Sequence, residues 1–394
     1  MTGIKTLIDQ SPISRQQILV IVLCLLMNML DGMDVLVISY AAPVLAKQWG
    51  IAPEALGVVF SAALLGMSAG ALLLSPVADK IGRRKMILLC IVIMTIGILL
   101  TAVSQTIWQL GVLRFFSGLG IGGMLASTAT LAAEYAPERR KNIFVSIVMS
   151  GYAIGATLFG VVAAHVIPAF GWRALFIVAG LTSLVTFPLV FAFMTESMDW
   201  LVKKQPKGAL EKLNTILHKM RLPEIDALPE PGAEAHRNPL KALFEDGRSP
   251  LTIQLWVAFF LAFATLYFLT AWIPNLASAM GLPVDLAIYA GTVFNLGAAI
   301  GIWLQGWLSQ YIGLKRAIIG FLLGTAVLMG VFGFLETGPV ILTSLGLIGF
   351  GMQGGFIGMY TVAARVYPTE MRNTGVGGAI GAGRTGAIVS PVLA

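Results

Sequence analysis

Ser75-Pro-Val-Ala-Asp79-Lys80-Ile-Gly82-Arg83-Arg84-Lys85 is a charged interruption between two apolar blocks, each about the length an α-helix needs to cross a bilayer. A basic cluster at such a place reads as a short loop joining two membrane helices, held on the side of the membrane that collects Lys and Arg. Displaced by 231 residues, the separation of Pro43 from Pro274, the segment falls on Gly306-Trp-Leu-Ser-Gln310-Tyr311-Ile-Gly313-Leu314-Lys315-Arg316, again between apolar blocks. The same ungapped shift carries Gly66 onto Gly297, Gly70 onto Gly301, Gly118 onto Gly349, Gly120 onto Gly351, Pro137 onto Pro368, Asn142 onto Asn373 and Gly155 onto Gly386. Matches of turn and small residues at equal depth mark a tandem duplication of one multi-helix unit.

Outward from the loop the pattern repeats. Of 394 residues, 57% are apolar and 11% charged, which no soluble core requires. Spans are predicted near 18–40, 54–77, 86–105, 108–133, 142–168, 171–194, 251–279, 285–309, 317–335 and 339–363, with an eleventh starting near 372. The 44 glycines suit helices that pack backbone against backbone. The net charge of +7 does not point to nucleic acid: with the N-terminus inside, 22 of the 26 Lys and Arg residues fall in cytoplasmic segments. Lys47 and Arg173 fall outside, and Arg114 and Arg384 lie within spans. Cys24 and Cys90 sit inside spans as packing residues and imply neither disulfide nor metal. The first apolar block exceeds a signal-peptide core and is expected to stay as a membrane helix.

The loop Asp79-Lys80-x-Gly82-Arg83-Arg84, its weaker copy, and Leu110-x-x-x-Arg114-x-x-x-Gly118 resemble the major facilitator superfamily over nearly the whole chain. Within it, Asp31-Gly32-Met33-Asp34, Tyr367-Pro368-Thr369-Glu370-Met371-Arg372-Asn373-Thr374-Gly375 and Gly383-Arg384-Thr385-Gly386-Ala387-Ile388 resemble the aromatic acid:proton symporter family. Sugar porters share the loop signature and something like Glu196-Ser197-x-x-Trp200-Leu201. The resemblance implies an all-α membrane protein with the major facilitator fold, two six-helix bundles related by duplication, and a transporter rather than an enzyme. The expected organisation is an N-terminal bundle at 1–194, a cytoplasmic linker at 195–250 with an amphipathic helix near 207–220, and a C-terminal bundle at 251–394. Adding the repeat displacement to the sixth span puts a twelfth beyond Ala394, so the last helix is expected to be missing from this chain. Two departures stand out: Gln310 and Tyr311 replace Asp79 and Lys80 in the second loop, and Ser75 stands where the family usually has Gly.

Ionisable residues at bilayer depth cost about 2.5–3.5 kcal/mol on insertion scales, so each needs a partner or a cavity. Asp31, Asp34, Arg114 and Arg384 qualify, with Glu134 at the inner end of the fourth span. Asp31 and Asp34 are one turn apart on one face, where two carboxylates rarely both ionise, leaving a group that can take up a proton. Asp34 and Arg114 each lie roughly 9 Å below the outer ends of their spans, so a pair is allowed. Asp31, Asp34 and Arg114 are therefore the proton-coupling candidates, with a static ion pair as the competing reading. Arg384 lies near the midplane and its repeat equivalent is the neutral Ala153. Its planar fork matches a carboxylate, and an arginine of this motif is associated with function in the resembling family, so Arg384 is the expected anion anchor. Packing against Asp31 is the alternative.

Further substrate-binding candidates are Asp31, Tyr152, Tyr267, Trp272, Asn295 and Tyr360, with Tyr40, Phe294, Asn28 and Gln353 weaker. Trp49, Trp108 and Trp172 read as interfacial anchors. Asp79, Arg83, Arg84, Glu134, Arg139 and Arg140 form the gating cluster expected at the cytoplasmic face. His165, His218 and His236 are isolated, and no enzyme constellation or metal site appears. The sequence thus points to these partners: a small aromatic or other organic acid, protons and the lipid bilayer of a bacterial inner membrane, with no nucleic acid and no cofactor beyond the proton gradient. The expectation is a monomeric symporter importing a benzoate- or hydroxybenzoate-like carboxylate. A sugar or polyol porter, another organic-anion porter or a drug exporter of the same superfamily is the alternative.

Overall fold

A computed structural model describes residues 2–138, 141–228, 243–244, 247–335, 337–367 and 372–393, and these are helical without a strand. The helices are α1 Thr2–Gln10, α2 Arg15–Trp49, α3 Pro53–Ile81, α4 Arg83–Thr101, α5 Ile107–Tyr135, α6 Lys141–Phe193, α7 Met198–Lys204 and α8 Ala209–Lys219. After the linker come α9 Ser249–Ala279, α10 Val284–Ile312, α11 Leu314–Phe332, α12 Gly338–Val366, α13 Arg372–Val389 and a 3₁₀ turn, Ser390–Leu393. Nine helices among the described residues are long and apolar enough to cross a membrane. One of them, α6, contains two of the predicted spans, and the glycine-rich α13 occupies the eleventh. The chain is a multi-pass membrane protein.

Local chemistry sets the helix ends. Ser14 accepts the Gln17 N–H at 3.2 Å while Gln17 accepts the Ser14 N–H at 2.8 Å, a reciprocal cap that starts α2. Gly50, at φ 60°, ends it in the left-handed conformation. The helix therefore runs 35 residues, well beyond the 18–40 expected from hydropathy alone. At Gly171 (φ 80°, ψ 170°) helical geometry fails, and α6 divides there into arms at 141–170 and 172–193. The amphipathic linker helix is α8 as expected, whereas α1 and α7, of nine and seven residues, are too short to show a helical period in the sequence. Large apolar side chains such as Leu72, Val185, Trp303 and Phe334 remain exposed on the outside, as lipid contact requires.

In the first half α3 packs on α5, α2 on α6, and α4 on α5 and α6; in the second, α10 packs on α12, α9 on α13, and α11 on α12. The duplication is visible atom by atom at one crossing. A side chain on Gly70 would strike the Leu119 carbonyl and one on Gly118 the Ala63 carbonyl; their repeat equivalents Gly301 and Gly349 face the carbonyls of Phe350 and Phe294, the equivalents of Leu119 and Ala63. Backbones in contact leave no room for a methyl. Between halves, α2 meets α9, α6 meets α10, and α3 meets α13 and the 3₁₀ turn.

Trp172 corrects an expectation. It is 2% exposed, packs edge-on against Trp49 and Phe176, and donates its indole N–H to Gln48 at 2.9 Å, so it is core rather than an interfacial anchor. Arg173 lies over the same indole and donates to the Ser104 carbonyl, fastening this corner. Trp108, by contrast, is 76% exposed.

Overpacking a close crossing costs about 1–3 kcal/mol, whereas an open glycine tolerates a methyl. Gly70→Ala is expected to lower the thermal unfolding midpoint in detergent by several degrees. Gly324→Ala, where nothing lies within 4 Å of the added carbon, should leave it nearly unchanged.

Candidate functional site

The middle of α2 carries both aspartates into the protein interior, Asp31 at 3% and Asp34 at 1% exposure. They have different surroundings. Asp34 Oδ1 accepts from Arg114 of α5 at 2.8 Å, and its Oδ2 accepts from Ser117 at 3.2 Å. Arg114, with no exposed surface, also donates to Thr101 of α4 at 3.3 Å and lies 5.2 Å over the Phe176 ring. The pair expected from span depth is thus formed, with α5 donating to acceptors on α2 and α4. The remaining bonding capacity of such a buried pair matters to its stability, and here Ser117 and Thr101 meet part of it while Arg114 Nε has no partner among the described residues.

Asp31 has no such partner. Its Oδ1 makes no hydrogen bond to the described residues. Asp34 and Arg384 both lie within electrostatic range of it, yet no ion pair joins Asp31 to Arg384. Arg384, half-buried on α13, donates to the Met67 carbonyl of α3 at 3.3 Å. A buried carboxylate and a nearby guanidinium are left apart, without an ion pair between them in this conformation.

Three of the expected aromatic residues join this pair. Tyr267 of α9 is within electrostatic range of Asp31 and Arg384, Tyr360 of α12 is within range of Tyr267 and Arg384, and Tyr152 of α6 is within range of Tyr267 and Asp31. Behind the tyrosines stands a wall that residue-by-residue reading missed. Phe263 stacks on Tyr267 at 5.9 Å and meets Phe356 edge-on at 4.8 Å; Phe356 and Phe259 both contact Tyr360. Its signal was available, since Phe259, Phe263 and Tyr267, like Phe356 and Tyr360, recur every four residues on one face.

Trp272 and Asn295 stand differently. The Trp272 indole donates to the Pro391 carbonyl at 3.0 Å and packs on Phe60, so its donor is already used where α9, α3 and the 3₁₀ turn meet. Asn295, 1% exposed, donates to the Gly291 carbonyl of its own helix, leaving Oδ1 without a partner. Of the weaker candidates, Tyr40 donates to the Ala156 carbonyl at 3.0 Å and Phe294 is fully buried. Asn28 makes one long contact to the Met149 sulfur, and Gln353 is buried. An apolar cavity of about 390 Å³ between α10, α11 and α12 is lined by residues such as Leu304, Phe321 and Phe350 and contains none of these site residues.

At the other end of α3 and α5 the gating residues divide. Arg139 and Arg140, and the side chain of Asp79, lie outside the described residues. Glu134 accepts from Ser197 at 2.8 and 2.6 Å and from the Asp199 N–H at 3.4 Å, with the charge of Arg83 in range. Arg84 lies over Phe191 and bonds its carbonyl. The centre of this cluster is Glu196, which the sequence reading noted only as part of a motif. Its carboxylate accepts the N–H groups of Arg84 and Ser197 at 3.0 and 2.9 Å, capping α4 at a point where the preceding residue, Gly82 (φ 103°), has no side chain to do so. A side chain at Gly82 would collide with that carboxylate. These bonds tie α4, α5, α6 and α7 to one another.

A family model for the Major Facilitator Superfamily matches residues 24–391. The chain belongs to the Major Facilitator Superfamily. Within this superfamily of transport proteins it is 32% identical over 392 residues to the 4-hydroxybenzoate transporter PcaK of Acinetobacter baylyi, covering 98% of this chain and 85% of that one. It is 31% identical over 396 residues to the gallate transporter of Pseudomonas putida, covering 99% and 87%. Among solved major facilitator structures, the xylose transporter XylE from E. coli in a partially occluded inward open conformation matches with a TM-score of 0.73 at 20% identity, covering 96% of this chain and 92% of that one. This chain is therefore a membrane transporter, not an enzyme. Among the described residues no group of His, Cys, Asp or Glu is arranged to hold a metal ion.

The Asp34–Arg114 pair and Asp31 should respond oppositely to loss of a charge. Arg114→Ala strands a buried carboxylate, at a cost of about 3–5 kcal/mol, and is expected to lower the unfolding midpoint steeply or prevent accumulation of folded protein. Asp31→Asn removes a charge that has no bonded partner on Oδ1 and is expected to keep or raise that midpoint.

Proposed function

We propose that this transporter carries a small aromatic carboxylate together with a proton across the bacterial inner membrane by alternating access. The observation that carries this reading is the separation of Asp31 from Arg384: opposite charges brought into one interior site without an ion pair, beside an aromatic wall. An arriving carboxylate meets the guanidinium fork of Arg384, its ring lies against Tyr267, Tyr360 and the phenylalanines behind them, and a proton resides on Asp31. Asp34 remains ionised and tied to Arg114, holding α2 against α5. This divides the roles of the two aspartates, and it moves proton uptake from the Asp34–Arg114 pair to Asp31. The substrates named for PcaK and the gallate transporter are hydroxylated benzoates, and the site has the chemistry for such a ring.

The two bundles, 1–194 and 251–394, are the rocking bodies in this scheme. With 22 of 26 Lys and Arg residues on one side, the N-terminus is cytoplasmic. The end where α2 stops and α3 starts is then the outer end. The contacts between halves lie toward it, so this conformation opens inward. The Glu134, Glu196 and Ser197 cluster lies at the inner end, where it holds one bundle and the linker helix together.

In proteoliposomes with an inward proton gradient, Asp31→Asn is expected to abolish accumulation of 4-hydroxybenzoate while retaining exchange of labelled for unlabelled substrate. Accumulation by that variant at the unsubstituted rate removes the proton role. Arg384→Lys should raise the apparent substrate constant by about tenfold or more, because the ammonium offers no bidentate fork. A panel of aromatic and aliphatic acids screened for thermal stabilisation should show the aromatic acids raising the midpoint. Stabilisation only by open-chain acids or sugars overturns the substrate class.

A further inference from the structure

Ser39, 1% exposed on α2, directs its hydroxyl across to the other half of the molecule, to the carbonyls of Thr270 and Ala271 on α9 at 2.9 and 2.7 Å. The Thr270 carbonyl is free for a local reason: its helical partner would be the amide of residue 274, and Pro274 has none. A hydroxyl from one half therefore satisfies a backbone acceptor that a proline has released in the other. Ser39 and Thr270 are themselves repeat equivalents, displaced by the same 231 residues as Pro43 and Pro274.

A second pair of repeat equivalents, Ser61 and Thr292, lies at the same end. Ser61 of α3 donates across the halves to the Ile388 carbonyl of α13. Thr292 of α10 stands against Gly160 of α6, so closely that a side chain at Gly160 would strike its hydroxyl. All four side chains are at most 9% exposed. Tight apolar contacts flank them: Phe60 meets Trp272 edge-on at 5.3 Å, and Gly291 faces the Tyr40 ring.

We propose that Ser39 and Ser61 form a hydroxyl latch that closes the outer end, with the carbonyl released by Pro274 as its central acceptor. The latch rests on the alternating-access reading above but on no particular substrate. The Ser39 and Ser61 hydroxyls meet their acceptors only while the halves touch, and water replaces them when they part. A cross-half hydrogen bond of this kind is worth enough to shift the open and closed populations severalfold, and a water-competent acceptor lets it re-form each cycle. Ser39 is a positioning residue and does not touch cargo.

The test uses a single cysteine at Phe60, 4% exposed on α3 where it meets Trp272 of the other half, labelled from outside by a membrane-impermeant maleimide; Cys24 and Cys90 are buried and give little background. Ser39→Ala is expected to speed labelling severalfold and the Ser39→Ala, Ser61→Ala double variant about tenfold, whereas Ser39→Thr, which keeps the donor, should label at the parent rate. Unchanged labelling in the folded double variant overturns the latch, as does Ser39→Thr behaving like Ser39→Ala. Should the double variant not fold, Ser61→Ala in the parent protein must raise labelling, and its failure to do so has the same force. Labelling needs no substrate, so the two readings fail separately. Faster labelling in a protein that binds no aromatic acid leaves the latch and removes the substrate class; unchanged labelling in a protein that accumulates one removes the latch alone.

Discussion

Hydrocarbon does not solvate charge, and the arrangement of this molecule follows from how it answers that constraint. Arg114 and Asp34 meet it by pairing in full burial, with Ser117 and Thr101 adding one bond to each. That pair joins α2 to α5 and, through Thr101, to α4, so it fixes the depth and rotation of the helix that also carries Asp31. The second answer is a shared interior site, reached by Asp31 from one half and Arg384 from the other. One aspartate is part of the framework, and the framework presents the other.

The scaffold around the site is duplicated while the site is not. Glycine contacts recur carbonyl for carbonyl in the two halves, and the hydroxyls at the outer contact recur as well. The charges break the symmetry: Arg384 has Ala153 as its equivalent, and the aromatic wall of α9 and α12 belongs to the second half alone. Duplication supplies two bodies that fit one another, and divergence gives each a separate chemical task.

Much of this could be read from the sequence because membrane helices obey strong local rules. Spans, the repeat, the side that collects Lys and Arg, and the interior charges all follow from hydropathy and spacing, and the pairing of Asp34 with Arg114 followed from equal depth. What was hidden depended on contacts between distant segments. Trp172 resembled an interfacial tryptophan because its position near a span end is visible and its burial against Trp49 and Phe176 is not. Trp272 looked like a free aromatic donor until its bond to the Pro391 carbonyl, 119 residues away, was placed. Glu196 stood in a recognisable string, yet its task is to complete the N-terminus of a helix that starts more than a hundred residues earlier. The phenylalanines of the aromatic wall have helical periodicity, but so do many lipid-facing residues, and sequence alone does not separate the two.

The division of Asp31 and Arg384 between the halves has an electrical consequence under the proposed roles. With neither cargo aboard, carboxylate and guanidinium cancel. With both aboard, a protonated acid faces a guanidinium neutralised by the bound anion, and the chamber is again close to zero net charge. Either cargo alone leaves an uncompensated unit charge at bilayer depth, a penalty on the order of 2.5–3.5 kcal/mol. Partly loaded carriers are thereby discouraged from turning over, and leakage of protons without substrate is suppressed by electrostatics rather than by a dedicated gate.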